Sequence, residues 1–168
     1  MKERNSLRDT IFQVIADNPG IHFREIQRKS GSAVGQLEYH IYQLEKQEKI
    51  SIKQDGKLKR YFVVTGTGFS ERKLIYYLRN GITREIVYDL LSGDSILADR
   101  FVKGRRAKQA KIREAIAELI HEGIIESRVD HGNQILFLRD PAAIKAILNR
   151  FRESFLDSLT SNVLSLLD

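Results

Sequence analysis

The feature that most constrains the fold is an internal repeat. Sliding the sequence by 75 residues without a gap lays Leu7–Val63 on Ile82–Leu138, and the apolar positions coincide. Leu7, Ile11 and Ile15 fall on Ile82, Ile86 and Leu90. Ile21 and Ile26 fall on Ile96 and Phe101. Leu37, Ile41 and Leu44 fall on Ile112, Ile116 and Leu119, and Ile50, Phe62 and Val63 on Ile125, Phe137 and Leu138. Polar positions mostly differ, so a common pattern of burial is repeated rather than a common surface. The 168 residues therefore divide into two small cores.

Within the first copy, Leu7, Ile11, Val14 and Ile15 have the spacing of one helical face, and Asn18-Pro19-Gly20 is a turn tripeptide that ends it. Ile21 to Phe23 suits a short extended piece, and Phe23 to Lys29 a second short helix. Ser30-Gly31-Ser32 breaks the chain: Gly31 tolerates the positive φ of a sharp corner, and Ser32 is expected to accept hydrogen bonds from the next helix. That helix runs to about Gln47. Ile50-Ser51-Ile52 then alternates, Asp55-Gly56 is a hairpin turn pair, and Tyr61 to Val64 is rich in aromatic and β-branched residues. Helix, short strand, helix, tight turn, helix, hairpin is the order of a winged helix-turn-helix. The second copy repeats it, with Asp130-His131-Gly132-Asn133 at its hairpin tip.

The expected architecture is mainly α with small β-hairpins, an α+β class. It comprises a winged helix-turn-helix over 1–68, a connecting helix over 69–81 carrying Leu74, Ile75 and Leu78, a second winged helix-turn-helix over 82–140, and a C-terminal helix over 141–168. After Pro141, the residues Ile144, Ile147, Leu148, Phe151, Phe155, Leu159, Val163 and Leu166 form one apolar stripe over about seven turns. Such a stripe must be covered. It either folds back over the chain or pairs with the same helix of a second copy, and a homodimer through Ile144, Ile147, Leu148, Phe151, Phe155, Leu159 and Val163 is the favoured alternative.

The run Asn18-Pro19-Gly20-Ile21-His22-Phe23-Arg24-Glu25-Ile26, followed by Gly35-Gln36-Leu37-Glu38-Tyr39-His40-Ile41-Tyr42-Gln43-Leu44-Glu45, resembles archaeal winged helix-turn-helix transcriptional regulators related to the ArsR and MarR types. The similarity covers roughly residues 7–64. Many members of that family have Gly where Lys49 precedes Ile50, and here that Gly occurs only in the second copy, as Gly123. The resemblance implies a transcriptional regulator that binds double-stranded DNA.

In a helix-turn-helix, the second helix of the motif enters the major groove and its outward side chains meet base edges. With Leu37, Ile41 and Leu44 facing the core, the opposite face is expected to present Gln36, Tyr39, His40, Gln43 and Lys46, with Ser32 near the exposed N–H groups of its first turn. The same residues would also serve as the solvated face of an amphipathic helix. The first wing adds Lys53, Lys57, Lys59 and Arg60, suited either to phosphates or to protecting a hairpin edge. Tyr39 and Tyr61 are the candidate exposed aromatics.

Charge supports a polyanionic partner: 28 Lys and Arg against 22 Asp and Glu give a net charge of +6. The excess avoids the tail, because residues 141–168 carry three basic and three acidic groups. It is densest at Arg100, Lys103, Arg105, Arg106, Lys108, Lys111 and Arg113, a stretch without an acidic residue that spans the second helix-turn-helix corner. From it, Arg105, Arg106, Lys108 and Lys111 are taken as DNA contacts. Later in that helix, Glu114 and Glu118 replace Tyr39 and Gln43, so the second copy is expected to be the weaker reader of bases.

Other functions find little purchase. Cysteine is absent, which removes disulfides, thiolate zinc sites and cysteine nucleophiles, and no phosphate loop, paired-His metal motif or serine elbow occurs. No enzyme activity, cofactor or metal is expected. No apolar run approaches the roughly 18 residues needed to span a bilayer, and the charged N-terminus is unlike a leader, so the expected location is the cytoplasm. The remaining rivals are a winged-helix protein-interaction module, since fold does not dictate function, and RNA binding, since a basic surface alone does not distinguish polyanions although the stacking platform usual for single strands is lacking.

Overall fold

The computed structural model describes residues 6–66, 68–103 and 108–164, and these form a mainly helical α+β fold with two three-stranded antiparallel sheets. Two compact units are present: residues up to Tyr76 together with those from Leu148, and Tyr77–Ile147.

In the first unit, α1 (Leu7–Asp17) starts at a capping box in which the Ser6 hydroxyl accepts from the Asp9 N–H and the Asp9 carboxylate accepts from the Ser6 N–H. It ends where the Asn18 side chain turns back to donate to the Val14 carbonyl at 2.9 Å. Strand β1 (Ile21–His22), α2 (Phe23–Ser30), α3 (Val34–Lys46) and the hairpin β2 (Ile50–Asp55) and β3 (Leu58–Val63) follow. The sheet order is β1-β3-β2, with Ile21 and Ile52 both opposite Tyr61. Alternation along these strands sends Ile50, Ile52, Tyr61 and Val63 to one face, where they close over Ile11, Ile15, Ile26, Leu37, Ile41 and Leu44. Then α4 (Phe69–Arg79) follows the hairpin.

The second unit repeats the order in α5 (Gly81–Gly93), β4 (Ser95–Leu97), α6 (Ala98–Val102), α7 (Gln109–His121), β5 (Ile125–Asp130) and β6 (Asn133–Leu138), with sheet order β4-β6-β5. From α7 onward each boundary lies 75 residues after its counterpart in α3, β2 and β3. Ile86, Leu90, Phe101, Ile112, Ile116, Leu119, Ile125 and Leu136 are buried there, at the positions the repeat places on the core side.

Both copies leave their long helix through the same hydrogen-bonded turn. After α3, Lys49 N–H donates to Leu44 at 3.0 Å and Glu48 N–H to Glu45 at 2.9 Å; after α7, Ile124 donates to Leu119 and Gly123 to Ile120. This Schellman arrangement needs a left-handed residue, which is Glu48 (φ 54°) in one copy and Gly123 (φ 69°) in the other. The glycine-seeking position of the first copy is thus Glu48, one residue before Lys49.

The C-terminal stripe is not one helix. It runs as α8 (Pro141–Arg150) and α9 (Arg152–Leu164), separated by a turn at Phe151. Periodicity cannot distinguish one helix from two joined by a single turn residue. Ionic ties flank the break: Arg150 pairs with Glu71 of α4 at 2.9 Å, and Asp157 of α9 with Lys29 of α2 at 2.7 Å. Ile144, Ile147, Phe151 and Phe155 are buried within this single chain, and Leu148 and Leu159 are half-buried. The side chain of Val163 and the whole of Leu166 lie outside the described residues. Among the described side chains of α9, the exposed apolar one is Leu156, which the stripe does not include.

Candidate nucleic-acid interface

The corner between α2 and α3 is made by Gly31, whose φ of 67° lets the chain reverse while its N–H donates to Gln27 at 2.9 Å. Ser32 does not cap α3. It is buried, and its hydroxyl lies 2.7 Å from that of Ser30, so the two serines close the corner on each other. The N-cap is Ala33, without a side-chain hydrogen bond, and the helix begins at Val34 with Gly35 beside open space. The first-turn N–H groups therefore meet no capping side chain, a geometry that suits an anion.

At about 100° per residue, burial of Leu37, Ile41 and Leu44 turns Gly35, Tyr39, Tyr42 and Lys46 directly outward. Tyr39 and Tyr42 are 60% and 57% exposed. Gln36 is exposed and Gln43 half-buried along one flank, and Glu38 and Glu45 are exposed along the other. His40 belongs to the flank nearest the core: it is half-buried, its Nδ1 is shielded, and its ring lies edge-on to Tyr39 at 5.3 Å. Tyr42 was missed by sequence reasoning, although the same angular count identifies it. Tyr61, expected as an exposed aromatic, is 4% exposed because the strand alternation that seats Ile50 and Ile52 also turns it inward.

The wing divides into a free tip and an engaged base. Lys57 and Lys59 are exposed at and beside the turn, which is pinned by the Gln54 amide donating to the Gly56 carbonyl at 2.7 Å. Arg60, expected to contact DNA, is instead 6% exposed: its Nε donates to Asp55 at 2.6 Å and an Nη to the Gly20 carbonyl at 3.0 Å, which ties the wing to the α1–β1 turn. Lys53 stands opposite Arg60 on the same sheet face, and its ammonium lies 3.6 Å from the centre of the Tyr76 ring of α4. The Tyr76 hydroxyl donates to Asp55 at 3.3 Å. Opposite pairs in a sheet share a face, so Lys53, which is exposed, and Arg60 both point away from the core-facing residues. His22, close to the same ion pair, has its imidazole held below the usual value by burial first and by the Arg60 charge second.

In the second unit, Lys108 and Lys111 are exposed at the start of α7, and Arg100 of α6, Lys103 just after it and Arg113 of α7 are exposed as well. Arg105 and Arg106 lie outside the described residues. Farther along α7, Glu114 is exposed, and Glu118 accepts a hydrogen bond from Tyr77 at 2.8 Å. Among the described residues no group of three or more His, Asp and Glu could hold a metal ion, and no helix is long and apolar enough to cross a membrane.

Residues 5–75 match a protein-family model described as an N-terminal HTH domain. Over 142 residues, the chain is 28% identical to an uncharacterized HTH-type transcriptional regulator of Methanocaldococcus jannaschii; the match covers 84% of this chain and 35% of that protein. The chain thus spans about a third of that relative's length. A hypothetical protein of Pyrobaculum spherical virus, known from its crystal structure, aligns over 80% of this chain and 94% of its own at 21% identity and a TM-score of 0.37.

Proposed function

We propose that this protein is a sequence-specific regulator of transcription that binds double-stranded DNA, with α3 lying in the major groove and the tip of the first wing following the backbone. The observation that carries this is the uncovered face of α3, Gln36, Tyr39, Tyr42 and Lys46, behind a helix-turn-helix corner. The family match over residues 5–75 and the relative named as a transcriptional regulator point the same way. Gln36 is able to bond adenine bidentately, the tyrosines to reach phosphate or base edges, and Lys46, Lys57 and Lys59 to neutralise phosphates. No catalytic step is invoked.

The finer features belong to the same proposal. The two units act as a tandem pair of winged helices of the ArsR/MarR-related archaeal kind, working in the cytoplasm. The second contacts DNA through its basic corner at Lys108 and Lys111. A homodimer would read two half-sites about one helical turn apart. Because Ile144, Ile147, Phe151 and Phe155 are already buried within one chain, such a dimer would use other surfaces, Leu156 among them. A second role, docking of a protein partner, is favoured for α7 alone by Glu114 beside the small Ala110 and Ala117, a poor surface for phosphate.

The test is titration of the full chain into a labelled duplex carrying its own upstream region, a scrambled duplex and single-stranded RNA at several salt concentrations. Preference for the upstream duplex that survives scrambled competitor, weakens with salt and falls in Tyr39→Ala and Tyr42→Ala is the expected result. Equal binding to all three nucleic acids, or none, refutes it.

A further inference from the structure

Gly35 is the second residue of α3 and lies on the line of outward positions that continues through Tyr39, Tyr42 and Lys46. It is exposed, and it lacks the positive φ for which Gly31 and Gly123 are needed. A Cβ placed on it would meet no heavy atom within 4 Å beyond its chain neighbours and its own helix backbone. Neither backbone geometry nor packing within the chain therefore calls for glycine here. Glycine inside a helix is also unfavourable relative to alanine, because it gives up more conformational freedom on folding. The second copy supplies the comparison. Ala110 is the second residue of α7, exposed, in a helix of the same 13 residues as α3 and with the same hydrogen-bonded exit. The fold thus accepts a methyl group at this position.

The neighbours of Gly35 leave the leading end of α3 bare. Ala33 and Val34 are exposed and have no hydrogen-bonding side chain, whereas one and two turns farther on Tyr39 and Tyr42 stand exposed. The outward face widens from the first turn onward. An α-helix with its side chains is about 10–12 Å across and the major groove about 12 Å wide, so the side chains on the leading face determine how deeply such a helix seats.

We propose that Gly35 is the point of closest approach between this protein and DNA, its Cα lying in van der Waals contact with base edges on the floor of the major groove, at a depth that a Cβ would prevent. The inference rests on the placing of α3 in the major groove proposed above. Gly35 acts by position: the depth it allows brings the neighbouring Gln36 to the base edges. Ala110 keeps α7 from seating as deeply, a steric reason, separate from the charge of Glu114, for the second unit to read bases less well. Attraction to phosphates needs no such depth, so Gly35 governs discrimination between sequences rather than binding to DNA at large.

The test compares Gly35→Ala, Gly35→Leu and Gly81→Ala with the wild-type full chain. Each is measured for its urea midpoint and titrated into a labelled duplex carrying the protein's own upstream region and into a scrambled duplex. Gly81 is the matched control, because it opens α5, is exposed and also has open space where a Cβ would stand. Both alanine variants are expected to be at least as stable as the wild type. Gly35→Ala binds the upstream duplex roughly tenfold more weakly and Gly35→Leu more weakly still, while both keep the wild-type affinity for the scrambled duplex. Gly81→Ala changes neither affinity. Unaltered upstream-duplex binding by Gly35→Ala, where Tyr39→Ala still weakens it, overturns the close approach and leaves α3 in the groove. Equal losses on both duplexes overturn it as well, as does a destabilised Gly35→Ala chain, which would show that the fold itself requires glycine. A wild type without preference for the upstream duplex overturns it together with the reading on which it rests.

Discussion

The two copies of one helix exit offer a controlled measurement of backbone strain. Glu48 holds φ 54° and Gly123 holds φ 69° in turns with the same hydrogen bonds. A non-glycine residue in the left-handed region costs about 1–2 kcal/mol, while a glycine gives back about 0.5–1 kcal/mol through the greater freedom of the unfolded chain. Glu48→Gly should therefore stabilise the first unit by about 0.5–1 kcal/mol. Glu48→Ala removes the same carboxylate but keeps the strain, so the difference between the Gly and Ala variants isolates the backbone contribution. In the second unit Gly123→Ala should destabilise by about 1 kcal/mol. Its Cβ would also meet an Nη of Arg139 at 2.6 Å, but that is the end of an exposed side chain which can move aside. The assay is urea unfolding followed by far-ultraviolet circular dichroism, with each unit's transition fitted separately. A Glu48→Gly protein no more stable than Glu48→Ala would refute the assignment of strain to this turn.

Three further outcomes are expected. Arg60→Leu leaves Asp55 without its 2.6 Å partner and the Gly20 carbonyl without its donor, so it should cost about 3–5 kcal/mol in the same unfolding assay; a loss under 1 kcal/mol would show the pair to be dispensable. Lys57→Ala and Lys59→Ala should each lower the slope of log affinity against log salt by about 0.9, whereas Lys53→Ala, whose ammonium rests on Tyr76, should change it less; equal slopes for all three would contradict the division of the wing into tip and base. For His22 the folded imidazole titrates below its unfolded value of 6.5, so the unfolded chain binds the proton more readily. Its contribution is fully present above about 6.5 and is lost as the pH falls through the folded value. His22→Leu, which introduces the residue found at Leu97, should flatten the stability profile over that window, as read from urea midpoints at stepped pH.

Much of this protein could be read from one dimension because burial is periodic. The spacing of Leu37, Ile41 and Leu44, the alternation through Ile50 and Ile52, and the offset that carries them to Ile112, Ile116, Leu119 and Ile125 determine which faces turn inward. Those in turn fix the order of helices and strands and the outward direction of Tyr39 and Lys46. Gly31 at the corner was legible for a local reason, since few residues accept its φ. Tertiary structure decided what periodicity leaves degenerate. An exposed-looking cation can be free, like Lys57, or spent on a neighbour distant in sequence, like Arg60 on Gly20 and Lys53 on Tyr76, because long side chains reach partners that no local pattern encodes. Likewise Ser32 was as good a cap as its chemistry allows until Ser30 met it first. An apolar stripe states only that it must be covered. That Phe151 and Phe155 are covered within one chain depends on how the helices pack, which is a property of the folded chain and not of the spacing.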